Sequence, residues 1–163
     1  MKKLENEIFL LRYLRHPSII KLYETVEASK FRPTNNSTRK SAITRHERAL
    51  NKPALNYHLF FMELCQGGDL LNYVRRRKNL DETTAKYIMY ELLMGVGYIH
   101  SRNIAHRDIK LENILLDNTG QVKLCDFGVS ELLEDSNSLM KECCGTPIYM
   151  PPEVIEMDIK LVK

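Results

Sequence analysis

The chain has 163 residues, 44% hydrophobic and 28% charged, with a formal net charge of +3. That size and mixture describe about one globular domain and exclude a disordered or collagen-like chain. No apolar tract reaches membrane-spanning length, and the N-terminal "MKKLENEIFLLRYLRHP" is interrupted by Glu5, Glu7 and Arg12 with no cleavage site after it, so no secretory signal is expected.

Leu4, Ile8, Leu11 and Leu14 recur at three- and four-residue steps and predict a helix that stops near His16–Pro17. The runs "IIKLYETV" (19–26) and "YHLFFME" (57–63) are short, rich in β-branched and aromatic residues, and predict strands. Between them, residues 28–56 carry seven lysines and arginines against the single acid Glu47, which leaves the rest of the chain net acidic. This insert reads as a solvated polar loop, with a short helix over 42–51 as an option. It lacks the aromatic interleaving of a base-stacking surface, so no nucleic-acid partner is expected.

After residue 63 the pattern becomes helical. Asp69 is placed to cap a helix that ends in Arg75, Arg76, Arg77 and Lys78, where cations suit the helix dipole. Ala85, Ile88, Met89, Leu92, Leu93, Val96 and Ile99 then hold a helical stripe for four turns, starting just after Asp81 and Glu82. "ILL" (114–116), the turn "DNTG" (117–120) and "QVKLC" (121–125) predict a hairpin. The four cysteines, Cys65, Cys125, Cys143 and Cys144, show neither C-x-x-C nor zinc-finger spacing. They fit unpaired thiols in a reduced, intracellular and cytoplasmic setting.

The stretch "HRDIKLENILL" (106–116) sets a carboxylate, an ammonium and a carboxamide, Asp108, Lys110 and Asn113, within six residues of one another. Phosphoryl transfer asks for such a set: charge neutralised on the phosphate oxygens, a metal held, and the attacking hydroxyl oriented. A second carboxylate for the metal follows the hairpin in "DFG", Asp126–Phe127–Gly128. With "GTPIYMPPE" (145–153) in the same order and at matching intervals, the chain resembles the eukaryotic protein kinases of serine/threonine type.

The resemblance implies an α+β, protein-kinase-like, truncated two-lobe fold across 1–163. Residues 1–63 would be the remnant of the small lobe and its hinge strand, with the basic insert 28–56, and 64–163 the start of the large lobe. It implies transfer of the γ-phosphate of ATP, with Mg2+, to a protein hydroxyl. Asp108 becomes the base that orients that hydroxyl, Lys110 the cation beside the transferred phosphate, and Asn113 and Asp126 the metal ligands. Glu7 matches the glutamate that pairs with a phosphate-holding lysine. Met62 takes the gatekeeper place, the backbones of Glu63 and Cys65 face adenine, Asp69 lies near the ribose and Leu115 beneath the base. Leu11, Leu22, His106 and Phe127 match an apolar spine.

Lys110 and the pair Gly145–Thr146 resemble serine/threonine rather than tyrosine kinases, and Asp69 and Glu112 match positions that select Arg-containing substrates. Arg107 matches the usual partner of an activating phosphate. The expectation is that Glu142 takes the place of that phosphate, with Ser136 or Ser138 as modified residues in the alternative. Neither a glycine-rich G-x-G-x-x-G loop nor a "VAIK" strand occurs among the 163 residues, and "PPE" replaces the usual "APE". The chain as written is therefore expected to be marginally stable and nearly inactive, with the stripe 85–99 open to water. The alternative is a non-catalytic, truncated kinase-like binding module.

Overall fold

The computed structural model describes residues 2–28, 57–134 and 143–161, and the side chains of 4–27, 58–134 and 143–156. The optional helix over 42–51, most of the basic insert, Glu142, Ser136 and Ser138 lie outside the described residues.

Two compact units divide the chain. One comprises Met1–Leu22 with Met62–Lys163, the other Tyr23–Phe61. In the second unit the described part is a two-stranded sheet of β1 (Leu22–Ala28) and β2 (Tyr57–Met62), each running a residue into the first unit. The predicted strand at 19–26 begins three residues late, because Ile19 makes only a single parallel bridge to Leu124 and Ile20 donates to the Leu124 carbonyl at 3.0 Å.

The first unit opens with α1 (Lys2–Tyr13), which ends before Pro17 as its sequence requires. Its Leu10 and Leu11, with Leu14 just beyond, are buried. Next come β3 (Gly68–Asp69) and α2 (Leu70–Arg77), whose first turn is capped by Asp69: Oδ1 accepts from the Asn72 N–H at 2.8 Å. The longest helix, α3 (Glu82–His100), is capped the same way by Asp81, which accepts from the Thr84 N–H at 2.9 Å. It leads into β4 (Ile104–Ala105), a 3-10 turn at Leu111–Asn113, β5 (Ile114–Leu116), β6 (Val122–Leu124), β7 (Glu131–Leu132) and α4 (Pro152–Leu161).

Two small antiparallel sheets organise this unit, β3–β5–β6 and β4–β7. The predicted hairpin is β5–β6, with Ile114 opposite Leu124 and Leu116 opposite Val122. Every residue of β6 is buried, so this strand is the spine of the core, with Ile88, Leu92 and Ile99 of α3 also buried. Closing each such leucine or isoleucine from water stabilises by about 1.5–3 kcal/mol. Gly95 permits the approach of α3 to the segment before β1, since a Cβ there would sit 3.2 Å from the Ser18 carbonyl oxygen.

The stripe read from 85–99 is only partly buried. Ile88, Leu92, Gly95 and Ile99 face inward, whereas Met89 and Leu93 are 53% and 60% exposed, together with Tyr87, Tyr90 and Met94. A helix packed along one line of four residues leaves the neighbouring line uncovered.

Candidate active site

Three loops of the first unit converge: the stretch 106–113 after β4, the turn 125–130 after β6, and Gly145–Thr146. Backbone bonds set their relation. The Cys125 N–H donates to the Asn113 carbonyl at 2.9 Å, which brings Asp126 beside the 3-10 turn that carries Asn113. Arg107 and Asp126 each adopt a positive φ, 67° and 63°. For a residue with a Cβ this conformation is sparsely populated, and it persists where surrounding contacts hold it.

Those contacts are visible. His106 is 1% exposed and stacks edge-on against buried Phe127, ring centroids 4.9 Å apart. Its Nε2 lies 3.0 Å from the Cys125 carbonyl, which can only accept, and its Nδ1 lies 3.3 Å from the Asp108 N–H, which can only donate. The ring is therefore neutral with the proton on Nε2. Burial accordingly holds its pKa below the usual imidazole range, against the pull of the Cys125 carbonyl and of Asp126 and Asp108. Leu11 and Leu22, placed by sequence in the same spine, are buried as well.

Asp108 is the hub. Its Oδ1 accepts from the Thr146 hydroxyl at 2.7 Å, and its Oδ2 meets Lys110 Nζ at 2.8 Å and Asn113 Nδ2 at 3.0 Å. Lys110 Nζ also donates to Thr146 Oγ1 at 2.7 Å, closing a triangle. Burial pushes the Asp108 pKa up, but the bonds from Lys110, Thr146 and Asn113 outweigh it and hold the carboxyl below the usual range. Its bond to Asp108 keeps the Lys110 ammonium above its ordinary value. Asn113 donates to both the backbone and the side chain of Asp108, which leaves its amide oxygen outside these bonds. Thr146 was read from sequence only as a marker of substrate type; its place in the triangle, 38 residues from Asp108, had no local signal.

Asp126 is exposed, and among the described residues its Oδ1 accepts one long bond, from the Gly128 N–H at 3.3 Å. Glu7 faces it from α1: burial, then the Asp126 charge, pushes the Glu7 carboxyl up. Asn6 on the same helix donates to the Ser130 carbonyl at 2.8 Å and fixes α1 against this turn. An exposed carboxylate beside an unengaged amide oxygen is a hard-oxygen donor pair that fits a magnesium ion completed by phosphate and water. Among the described residues no group of three or more His, Cys, Asp and Glu side chains is placed to hold a metal.

The residues that the resemblance implies for a nucleotide lie at the end of β2, just after it, and in β3 and β5. Met62, at the end of β2, is 45% exposed. The Glu63 N–H donates to the Lys21 carbonyl at 2.8 Å, while its carboxylate accepts from the Lys21 N–H at 3.3 Å and pairs with buried Lys123 at 2.8 Å. Cys65 keeps a protonated thiol, its pKa pushed up by burial and then by Glu63. Asp69 sits directly opposite Leu115 across β3–β5, and its carboxylate is occupied in capping α2, which holds its pKa down. A cavity of about 300 Å3 is lined by Glu63 and Lys123 together with Leu14, His16, Ile19 and Lys21 among others. None of Asp108, Lys110, Asn113 or Asp126 lines it.

Arg107 is not free to await a partner. Its Nε donates to the Val129 carbonyl at 2.6 Å and its Nη1 pairs with Glu131 at 2.5 Å. Glu131 carried no signal in the sequence. All four cysteines are free thiols, Cys143 and Cys144 included. No helix of the described residues is long and apolar enough to cross a membrane.

The model of the protein kinase domain matches residues 1–161. Calcium-dependent protein kinase 6 of Plasmodium berghei (strain Anka) is 36% identical over 156 residues, which cover 94% of this chain and 9% of that protein. CBL-interacting serine/threonine-protein kinase 10 of Arabidopsis thaliana is 37% identical over 95% of this chain and 27% of its own length. The serine/threonine-protein kinase KIN4 of Saccharomyces cerevisiae (strain ATCC 204508 / S288c) is 35% identical over 94% and 16%. The chain thus spans between about a tenth and a quarter of the length of these relatives. By the match across nearly all its residues, the chain belongs to the protein kinase domain family.

Proposed function

We propose that the protein bearing this chain is a serine/threonine protein kinase that transfers the γ-phosphate of Mg-ATP to a protein hydroxyl. The observation that carries the reading is the Asp108 carboxylate, bonded at once by Lys110, Thr146 and Asn113, with Asp126 tied alongside by the Cys125–Asn113 backbone bond. In family terms, residues 1–63 belong to the small lobe and hinge and 64–163 to the large lobe.

Asp108 orients the acceptor hydroxyl and receives its proton late. Lys110 sits one bond from Asp108 and faces the oxygens of the transferred phosphoryl group. When bound, magnesium supplies charge neutralisation on the phosphates, held by Asp126 and the Asn113 amide oxygen. The Glu63 carbonyl and the Cys65 N–H, which bond no other described residue, meet the adenine edge, with Leu115 below it, Met62 behind it and Asp69 near the ribose. Glu7, with its raised pKa, is suited to a cationic partner that restores its charge. Glu112 is exposed, and it and Asp69 are candidates for reading arginine ahead of the target residue. Four unpaired cysteines support a reduced, cytoplasmic setting for the reaction.

The test is phosphotransfer from labelled ATP to an Arg-containing serine peptide by the protein purified from its source, against Asp108→Asn. A loss of about 10²–10⁴-fold is expected for removal of the positioned base. Equal rates for the two proteins would overturn the reading. A non-catalytic binding module has no requirement for the Asp108 triangle, which is why the enzyme is preferred.

A further inference from the structure

Arg107 stands between the two candidate catalytic carboxylates. It immediately precedes Asp108, and its side chain reaches the segment that follows Asp126. Four ties hold these stretches together. Ala105 pairs with Glu131 across β4–β7, Ser130 Oγ donates to the His106 carbonyl at 3.2 Å, Arg107 Nε donates to the Val129 carbonyl at 2.6 Å, and the Arg107–Glu131 ion pair closes the set at 2.5 Å. The pair is largely shielded, with 12% of the Arg107 side chain and 36% of the Glu131 side chain exposed. A guanidinium held this way is neutralised from within the unit, and its left-handed backbone, φ 67°, is fixed from the side-chain end.

We propose that Glu131 is a positioning residue: its carboxylate holds the Arg107 guanidinium, fills the role an activating phosphate has elsewhere, and so keeps Asp108 in register with Asp126. The proposal rests on the kinase reading for its effect on rate, but the contact it names stands independently. Three consequences follow. The catalytic stretch is ordered without a phosphate on residues 126–153. A phosphate brought to Arg107 has to displace Glu131 rather than meet an open cation. A basic residue in place of Glu131 opposes Arg107 and makes the protein depend on such a phosphate.

The experiment uses the native protein as wild type, Glu131→Gln, Arg107→Ala and the double variant, with two readouts. Hydrogen exchange followed by mass spectrometry is expected to show amides of 103–110 and 126–134 exchanging about fivefold faster in Glu131→Gln, with 114–124 unchanged. In steady-state kinetics Glu131→Gln lowers kcat about tenfold, the scale of one charge-assisted hydrogen bond, and leaves the KM for ATP within about twofold. In the Arg107→Ala background the same substitution costs less than about twofold, because the two residues act as one unit. Unchanged exchange in Glu131→Gln, or full multiplicative losses in the double variant, would overturn the proposal. If the wild type transfers no phosphate, the kinase reading fails, and the exchange data alone decide whether Glu131 holds Arg107.

Discussion

His106→Phe isolates what the buried imidazole contributes. Phenylalanine keeps the ring shape and the edge contact to Phe127, but leaves the Cys125 carbonyl and the Asp108 N–H without their partners at 3.0 and 3.3 Å. Each polar group left unpaired in a partly buried place costs about 1–2 kcal/mol, so a loss of about 2–4 kcal/mol is expected. With a urea slope of about 2 kcal/mol/M the midpoint falls by about 1–2 M at unchanged slope, measured by circular dichroism at pH 7.5. The difference also depends on pH in a determined direction. The folded-state pKa of His106 lies below 6.5, so the neutral ring's contribution is complete above the unfolded value and is lost as pH falls from about 6.5 toward the folded one. The gap between wild type and His106→Phe therefore narrows as the pH is lowered below about 6.5. His16, also held low by burial, is present in both proteins and cancels. A midpoint shift under about 0.5 M, or a gap that widens in acid, would refute the tautomer argument.

Gly145→Ala places a Cβ 2.6 Å from the Arg107 carbonyl at φ +115°, so a stability loss of at least ~2 kcal/mol is expected in the same urea titration, and a neutral result would remove the close approach from the argument. Lys123→Met strands the half-buried Glu63 carboxylate and is expected to cost about 1–3 kcal/mol, with most of it recovered by adding Glu63→Gln; no recovery would mean that Lys123 acts by packing rather than by charge. The Cys125 thiol, pushed up to about 12 by burial and then by Asp126, is mostly protonated at pH 8. Allowing for the greater nucleophilicity of a more basic thiolate, its alkylation by iodoacetamide is expected to be roughly 30- to 50-fold slower than in the urea-unfolded chain, read by peptide mass spectrometry, and equal rates would contradict the burial.

Local chemistry was what the sequence made legible. Asp69 and Asp81 announced two helix starts because a cap needs only the three residues after it, and the β5–β6 hairpin was written in its turn. Asp108, Lys110 and Asn113 were found together because they meet within six residues. What escaped was long-range or conformational. Thr146 joins Asp108 across 38 residues and Glu131 joins Arg107 across 24, and no periodicity encodes either meeting. The positive φ of Arg107 and Asp126 was invisible because neither residue is glycine, the usual mark of such a turn. The stripe 85–99, expected to be open to water, is so at Met89 and Leu93, whereas Ile88, Leu92 and Ile99 are buried by packing that the helical period alone does not reveal.

The two carboxylates of the candidate site are treated oppositely, and under the proposed phosphoryl transfer that asymmetry would separate their roles. Asp108 has both oxygens engaged and a pKa held down, which makes it a weak proton acceptor in the ground state. A weak base is adequate where the transition state is loose, because the acceptor hydroxyl loses its proton only late and chiefly needs aiming. Asp126 is left exposed with one long contact, on a backbone that a neutral, doubly bonded His106 and an ion-paired Arg107 hold in place. A carboxylate with a single long bond is available to a cation at little cost. The bonds from Lys110, Thr146 and Asn113 fix the first carboxylate, while the contacts joining 104–108 to 125–131 hold the backbone on which both are carried. Weakening any of them is expected to lower the rate before it lowers the affinity for nucleotide.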